Sequence, residues 1–155
     1  NIIIHTLVNI KNEKKDEIFN EAKLELRVLN GKINFDNSIF INNNIGIIEV
    51  SNSNLFLEND KLILTTNLSM DIKNTDGLYS FLNTSKKLRK DIKNIKLNIT
   101  YDFLSNVIKF KKIKINDNGV SSQFYNIIDV FTDNNSNNLT KSRRLLNELI
   151  SLYEG

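Results

Sequence analysis

From Ala22 to Leu29 the chain alternates strictly, with Ala22, Leu24, Leu26 and Val28 apolar and Lys23, Glu25 and Arg27 charged between them. Successive side chains of a strand point to opposite faces, so a period of two describes a half-buried β-strand. Asn30-Gly31 follows, the dipeptide that best tolerates the positive φ angles of a two-residue type I′ turn. With those residues as the turn, Val28 faces Ile33, Leu26 faces Phe35 and Ala22 faces Ile39. All of these pairs fall on one face, so pattern and turn agree on the register.

The same arithmetic carries the meander onward. A loop at Asn42-Asn43-Asn44 pairs Ile41 with Ile45 and Ile39 with Ile47, and sends Ile48 and Val50 to the opposite face. Ser51 to Asn54 reads as a loop or a brief irregularity within the strand. Leu55 and Leu57, a turn at Asn59-Asp60, and Leu62, Leu64, Leu68, Met70 and Ile72 form another hairpin, with Leu57 opposite Leu62. The opening Ile2 to Ile10 is apolar on both parities and rich in β-branched residues. It reads as a strand buried on both faces, or as one whose partner lies in another part of the polypeptide.

After Lys73 the period lengthens. Leu78, Phe81, Leu82 and Leu88 recur at helical spacing, Asn74 or Thr75 can cap the start, and Lys86, Lys87, Arg89 and Lys90 suit a helix C-terminus. This predicts one amphipathic helix over residues 75–91, docked through those four apolar residues with Lys86, Lys87 and Lys90 in water. Ile95, Leu97, Ile99 and Tyr101 then alternate again, and a return strand runs from Val107 to Ile115. Its apolar parity shifts, which a bulge at Lys111-Lys112 repairs by restoring Leu97 opposite Ile113. Phe124, Ile127, Ile128 and Phe131 predict a further helix. Leu145, Leu146, Leu149, Leu152 and Tyr153 predict another, with Thr140 as its N-cap. The expected fold is mainly β with α: an antiparallel meander of hairpins, a helix near 75–91, and one or two helices in a C-terminal end of about 121–154. A chain of 155 residues, 40% hydrophobic and 25% charged, is expected to form this as one unit over 1–155.

Chemistry is hard to find in this chain. The single histidine, His5, has no Asp, Cys or second His at ligand or triad spacing, and no serine sits in a Gly-x-Ser-x-Gly elbow. Asn116-Asp117-Asn118-Gly119 superficially resembles the centre of a calcium loop, yet that alignment puts Lys114 and Tyr125 at ligand positions, so it reads as a turn. Five scattered glycines make no phosphate loop. No catalytic residue, metal or cofactor is expected. The basic groups at Lys86 to Lys96 and Lys109 to Lys114 lack interleaved aromatic residues, since Phe110 belongs to the apolar face. They argue against nucleic acid and read first as solvated or edge-protecting lysines, and second as contacts for anionic lipid headgroups. The opening Asn1-Ile2-Ile3-Ile4 has neither an initiator Met nor a basic n-region, so the chain is expected to be a piece of a longer protein. No apolar run reaches the roughly 20 residues of a membrane span.

Five segments carry a family resemblance. Leu26-Arg-Val-Leu-Asn-Gly-Lys-Ile-Asn-Phe35 and Ile45-Gly-Ile-Ile-Glu-Val-Ser-Asn-Ser-Asn-Leu55 resemble the repeated strand pairs of AsmA-like proteins. Asp71-Ile-Lys-Asn-Thr-Asp-Gly-Leu-Tyr-Ser-Phe81, Lys86-Lys-Leu-Arg-Lys90 and Asn94-Ile-Lys-Leu-Asn-Ile-Thr-Tyr101 resemble the strand, short helix and hairpin near the C-terminus of such proteins. The likeness covers residues 24–117. It implies a periplasmic segment of an inner-membrane-anchored bacterial envelope protein, whose curved sheet carries phospholipid or another envelope lipid on its apolar face. The remainder of the same polypeptide is the implied protein partner.

The lipid-facing candidates are Leu24, Leu26, Val28, Ile33, Phe35, Ile39, Leu55, Leu57, Leu62 and Leu64, with Ile41 beside them. Two arrangements satisfy this apolar face. Helices can cover it as an ordinary core, which makes the chain a purely structural β-module of the surface or adhesin type, or it can line an open groove.

Overall fold

The computed structural model describes residues 3–11, 19–29, 31–132 and 139–154. Ile2 and Asn30 lie outside the described residues, as do the side chains of His5 and Phe131. The fold is mainly β with helices at one end. Strands β1 (Ile3–Lys11), β2 (Glu21–Leu29), β3 (Lys32–Asn34), β4 (Ile39–Asn42), β5 (Gly46–Glu58), β6 (Lys61–Ile72), β7 (Asn94–Asp102), β8 (Val107–Ile115) and β9 (Asn118–Gly119) form one antiparallel sheet. Its order is β1-β2-β3-β5-β6-β7-β8-β9, with β4 continuing the line of β3 between β2 and β5.

The two hairpins read from turn chemistry have the expected register. Val28 stands opposite Ile33 and Gly31 has a φ of 75°. Leu57 stands opposite Leu62, with Asn59 and Asp60 both at positive φ, as a type I′ turn requires. The bulge near Lys111 is also present: Leu97 pairs with Ile113 and Asn98 with Lys112, but Ile99 pairs with Phe110.

The middle of the meander departs from the expected register. Ala22 pairs with Phe40 instead of Ile39, Ile39 lies opposite Lys23 and Glu49, and Ile41 opposite Ile47. Residues 35–38 hold one more residue than a regular ladder allows, with Asn37 at a φ of 68° and Ser38 N–H donating to Phe35 O at 3.1 Å. One extra residue reverses every later side chain. Ile39 and Ile41 therefore face away from Leu24, while Phe40, Ile48 and Val50 share its face. A second bulge at residues 52–53, with Asn52 at a φ of 49°, restores the parity, so that Leu55 sits opposite both Ile33 and Leu64.

The helical end is more segmented than its periodicity predicts. Helix α1 (Thr75–Leu82) starts where Asn74 Oδ1 accepts the Gly77 N–H at 3.0 Å, and stops at Asn83, which adopts the left-handed conformation. A single 3-10 turn follows at Lys86–Leu88, then an extended return to β7. The predicted helix over 75–91 is thus cut short by a left-handed cap. Tyr79 holds the return segment, its hydroxyl donating to Lys90 O at 2.6 Å and accepting Lys90 N–H at 2.7 Å. Lys86 and Lys87 are exposed, but Lys90 is half-buried by this arrangement. Helix α2 (Ser122–Thr132) packs on β8, and α3 (Leu139–Leu152) packs on α2, α1 and the 3-10 turn. Thr140 lies inside α3 instead of capping it.

All three helices lie on the sheet face that carries Leu24. Their core joins Leu78, Tyr79, Leu82, Phe124, Ile128, Leu149, Ile150 and Tyr153 to Ile72, Ile113 and Ile115, around a fully buried Ile92. Met70, Ile95 and Leu97 pack against the same cluster, so the helices cover the face where β6 ends, β7 begins and β8 ends.

Candidate functional site

The rest of that face forms a trough. Leu24 on β2, Phe40 on β4, Ile48 and Val50 on β5, Leu64, Thr66 and Leu68 on β6, and Ile99 on β7 line one concavity of about 440 Å³, together with Phe19, Phe35, Ser38, Ser53 and Phe103. In a flat sheet the four strand spacings from β2 to β7 amount to roughly 19 Å. The bulges at 35–38 and 52–53 lie within this span, and bulges bend the strands that carry them. Val50 and Thr66 are only 8% and 4% exposed although neither belongs to the helix-covered core cluster.

Three polar residues sit in the wall, and each spends its hydroxyl on the backbone or on Asp36. Ser38 Oγ accepts the Glu25 N–H at 3.0 Å and lies 3.3 Å from Glu25 O. Ser53 Oγ accepts the Phe35 N–H at 2.6 Å and donates to Asp36 Oδ1 at 2.7 Å, an atom that also accepts the Ser53 N–H at 2.7 Å. Thr66 Oγ1 donates to the carbonyls of Ser51 and Asn67, each at 3.3 Å. These hydroxyls satisfy the groups that the bulges take out of the ladder, and they are therefore not directed at a ligand. The trough offers apolar contact. Its aromatic rims are Phe19 against Phe40, with ring centres 5.2 Å apart, and Phe103 against Tyr101 at 4.6 Å.

Of the ten candidates from the sequence, Leu24, Phe35 and Leu64 line the trough. The ladders put Leu26, Val28, Ile33 and Leu55 on the same face. Leu57 and Leu62 share that face at the β5–β6 turn, where Leu57 is 70% exposed. Ile39 does not belong to the set, because the extra residue at 35–38 turns it to the opposite face. Sequence reasoning missed Phe19, Phe40, Ile48, Val50, Leu68, Ile99 and Phe103 as lining residues. The alternation of Phe40, Ile48 and Val50 is visible in the chain, but assigning it to this face requires the bulge.

Among the described residues no ionisable side chain lines the trough, although Asp36 stands behind its wall on Ser53. Burial raises the Tyr79 phenol above its ordinary range, against the lowering effect of Lys90 and Arg89. At the β7–β8 turn, hydrogen bonds from the Ser105 hydroxyl and amide hold the Asp102 carboxyl below the usual carboxylate range, with help from Leu104 N–H and Lys61. A hydrogen bond from Lys96 does the same for Asp117. Among the described residues no group of three or more His, Cys, Asp and Glu is arranged to hold a metal, and no helix is long and apolar enough to cross a membrane.

No protein-family model, curated protein or solved structure matches the chain.

Proposed function

We propose that this chain is a non-catalytic, lipid-contacting segment of an AsmA-like bacterial envelope protein, serving phospholipid transport or outer-membrane maintenance from the periplasm. The observation that carries the reading is the trough: an apolar concavity left open by the helices, in which every wall hydroxyl is already engaged with the backbone or Asp36. Its volume of about 440 Å³ falls within the range of small-ligand sites, roughly 300–1,000 Å³. An apolar wall whose three hydroxyls are already engaged within the protein favours an aliphatic chain over a polar metabolite, which would lose most of its water without replacement.

The sheet edges support continuation into a longer groove. Among the described residues no strand lies beyond β1, whose sequence Ile3-Ile-His-Thr-Leu-Val-Asn-Ile-Lys11 has one charged residue in nine positions. Unguarded edges pair readily, so β1 is the side on which further strands of the same polypeptide would add. The opposite edge is guarded, since β8 carries Lys109, Lys111, Lys112 and Lys114 and a bulge.

Photo-crosslinking residues in the intact parent protein test this reading. Crosslinkers replacing Leu24 and Phe40 should capture phospholipid, and those replacing their neighbours Lys23 and Ile39, on the opposite face, should not. Equal labelling at all four positions, or none at Leu24 and Phe40, would leave the structural β-module in its place.

A further inference from the structure

The trough does not account for the hairpin of β7 and β8. Residues 94–115 contain five lysines and one aspartate, although the whole chain has a net charge of only +3. Asp102 is already committed: it accepts hydrogen bonds from Leu104 N–H at 2.9 Å and Ser105 N–H at 3.2 Å, and its other oxygen meets Lys61 Nζ at 3.4 Å. The turn built on Asp102 presents Leu104 at its tip, 73% exposed, beside Phe103 at 45% and Ile108 at 37%.

Lysines along an edge strand protect it from pairing, so the β8 lysines alone have a structural explanation. Leu104 has none: it is 73% exposed at a turn, where Asn, Ser or Gly is the usual choice. Apolar side chains at a tip, with lysines starting directly behind them at Lys109, fit the boundary of a bilayer. The apolar groups enter the upper acyl region while the ammonium groups meet phosphate headgroups. Phe103 belongs to both regions, since it also lines the trough.

We propose that the β7–β8 hairpin docks this chain on an anionic phospholipid bilayer, with Leu104, Phe103 and Ile108 at the interface and Lys109, Lys111 and Lys112 on headgroup phosphates. Docking would set the trough against a lipid surface. Its purpose rests on the lipid-carrying reading, but its occurrence does not.

Co-sedimentation of the 155-residue chain with vesicles tests it, comparing phosphatidylcholine alone with mixtures containing phosphatidylglycerol. The chain should bind the anionic vesicles, and binding should weaken as salt screens the lysines. Leu104→Ser should weaken binding roughly tenfold, and each of Lys109→Ser and Lys112→Ser about fivefold. All three positions are exposed, so these variants should keep the parent's thermal midpoint, which checks that they fold. Equal binding to neutral and anionic vesicles would overturn the proposal, as would unchanged binding by Leu104→Ser. Preference for a single-stranded oligonucleotide over vesicles, indifferent to Leu104→Ser, would overturn it in favour of nucleic acid. Vesicle docking without crosslinking at Leu24 and Phe40 would sink the trough and keep the hairpin, and the reverse result would sink the hairpin alone.

Discussion

Leu24 and Ile99 line the same apolar cavity although three strands separate β2 from β7. A curl of β4 and β5 toward this face, of the kind the bulges at 35–38 and 52–53 supply, favours that approach. The curl in turn depends on polar side chains that hold the bulged segments, which makes a few buried hydroxyls responsible for the shape of an apolar surface.

Ser53 is the first of these. Ser53→Ala removes the acceptor for Phe35 N–H and one of two donors to Asp36, and it leaves the half-buried amide without that partner. An unsatisfied buried group costs about 1–3 kcal/mol. Chemical denaturation should show a loss of that size, and lipid crosslinking at Phe40 should fall with it as the bulge relaxes.

Tyr79 links α1 to the return segment by two hydrogen bonds to Lys90. Tyr79→Phe keeps the ring packing but strands both backbone groups, with an expected loss again of about 1–3 kcal/mol. The pH dependence follows from the raised phenol. A folded-state pKa above the unfolded value contributes stability that is complete below about pH 10 and is lost as pH rises through the folded value. Denaturation midpoints taken across the alkaline range should therefore fall for the parent more steeply than for Tyr79→Phe.

Asp102 gives the opposite sign. Its carboxyl is depressed by the Ser105 hydroxyl and amide, so its contribution is present above about pH 4 and disappears as pH falls through the folded-state value. Asp102→Ala should be less stable than the parent at neutral pH, and the gap should close on acidification. A gap that stays constant from neutral to acid pH would show that the carboxylate does not organise the turn.

Gly77→Ala would ordinarily favour a helix by about 0.8–1.0 kcal/mol. Here a Cβ would lie 1.8 Å from the backbone oxygen of Asn44, and backbone at that distance cannot yield as a flexible side chain would. The expected outcome is destabilisation by about 1–3 kcal/mol, as for overpacked cores, measured by thermal or urea unfolding. A stabilised variant would mean that α1 does not sit against the β4–β5 loop.

The residues by themselves determined whatever depends on near neighbours. Alternation from Ala22 to Val28, the turns at Gly31 and Asn59-Asp60, and the parity break at Lys111 are each encoded within a few positions, and each appears in the ladders. Tertiary structure decided the rest. Whether 35–38 adds a residue depends on Ser38 reaching Glu25 and on Asp36 reaching Ser53, 13 and 17 positions away, and that one residue moves Ile39 out of the apolar face and Phe40 into it. How the capped end of α1 is held depends on Thr84 and Leu82 O meeting Asn147, more than 60 positions on. Alternation requires a strand to have an apolar side without naming what will lie against it. Only the packing of α1, α2 and α3 over Met70, Ile72, Ile95, Leu97, Ile113 and Ile115 settled which part of the face is core and which part the helices leave as a trough.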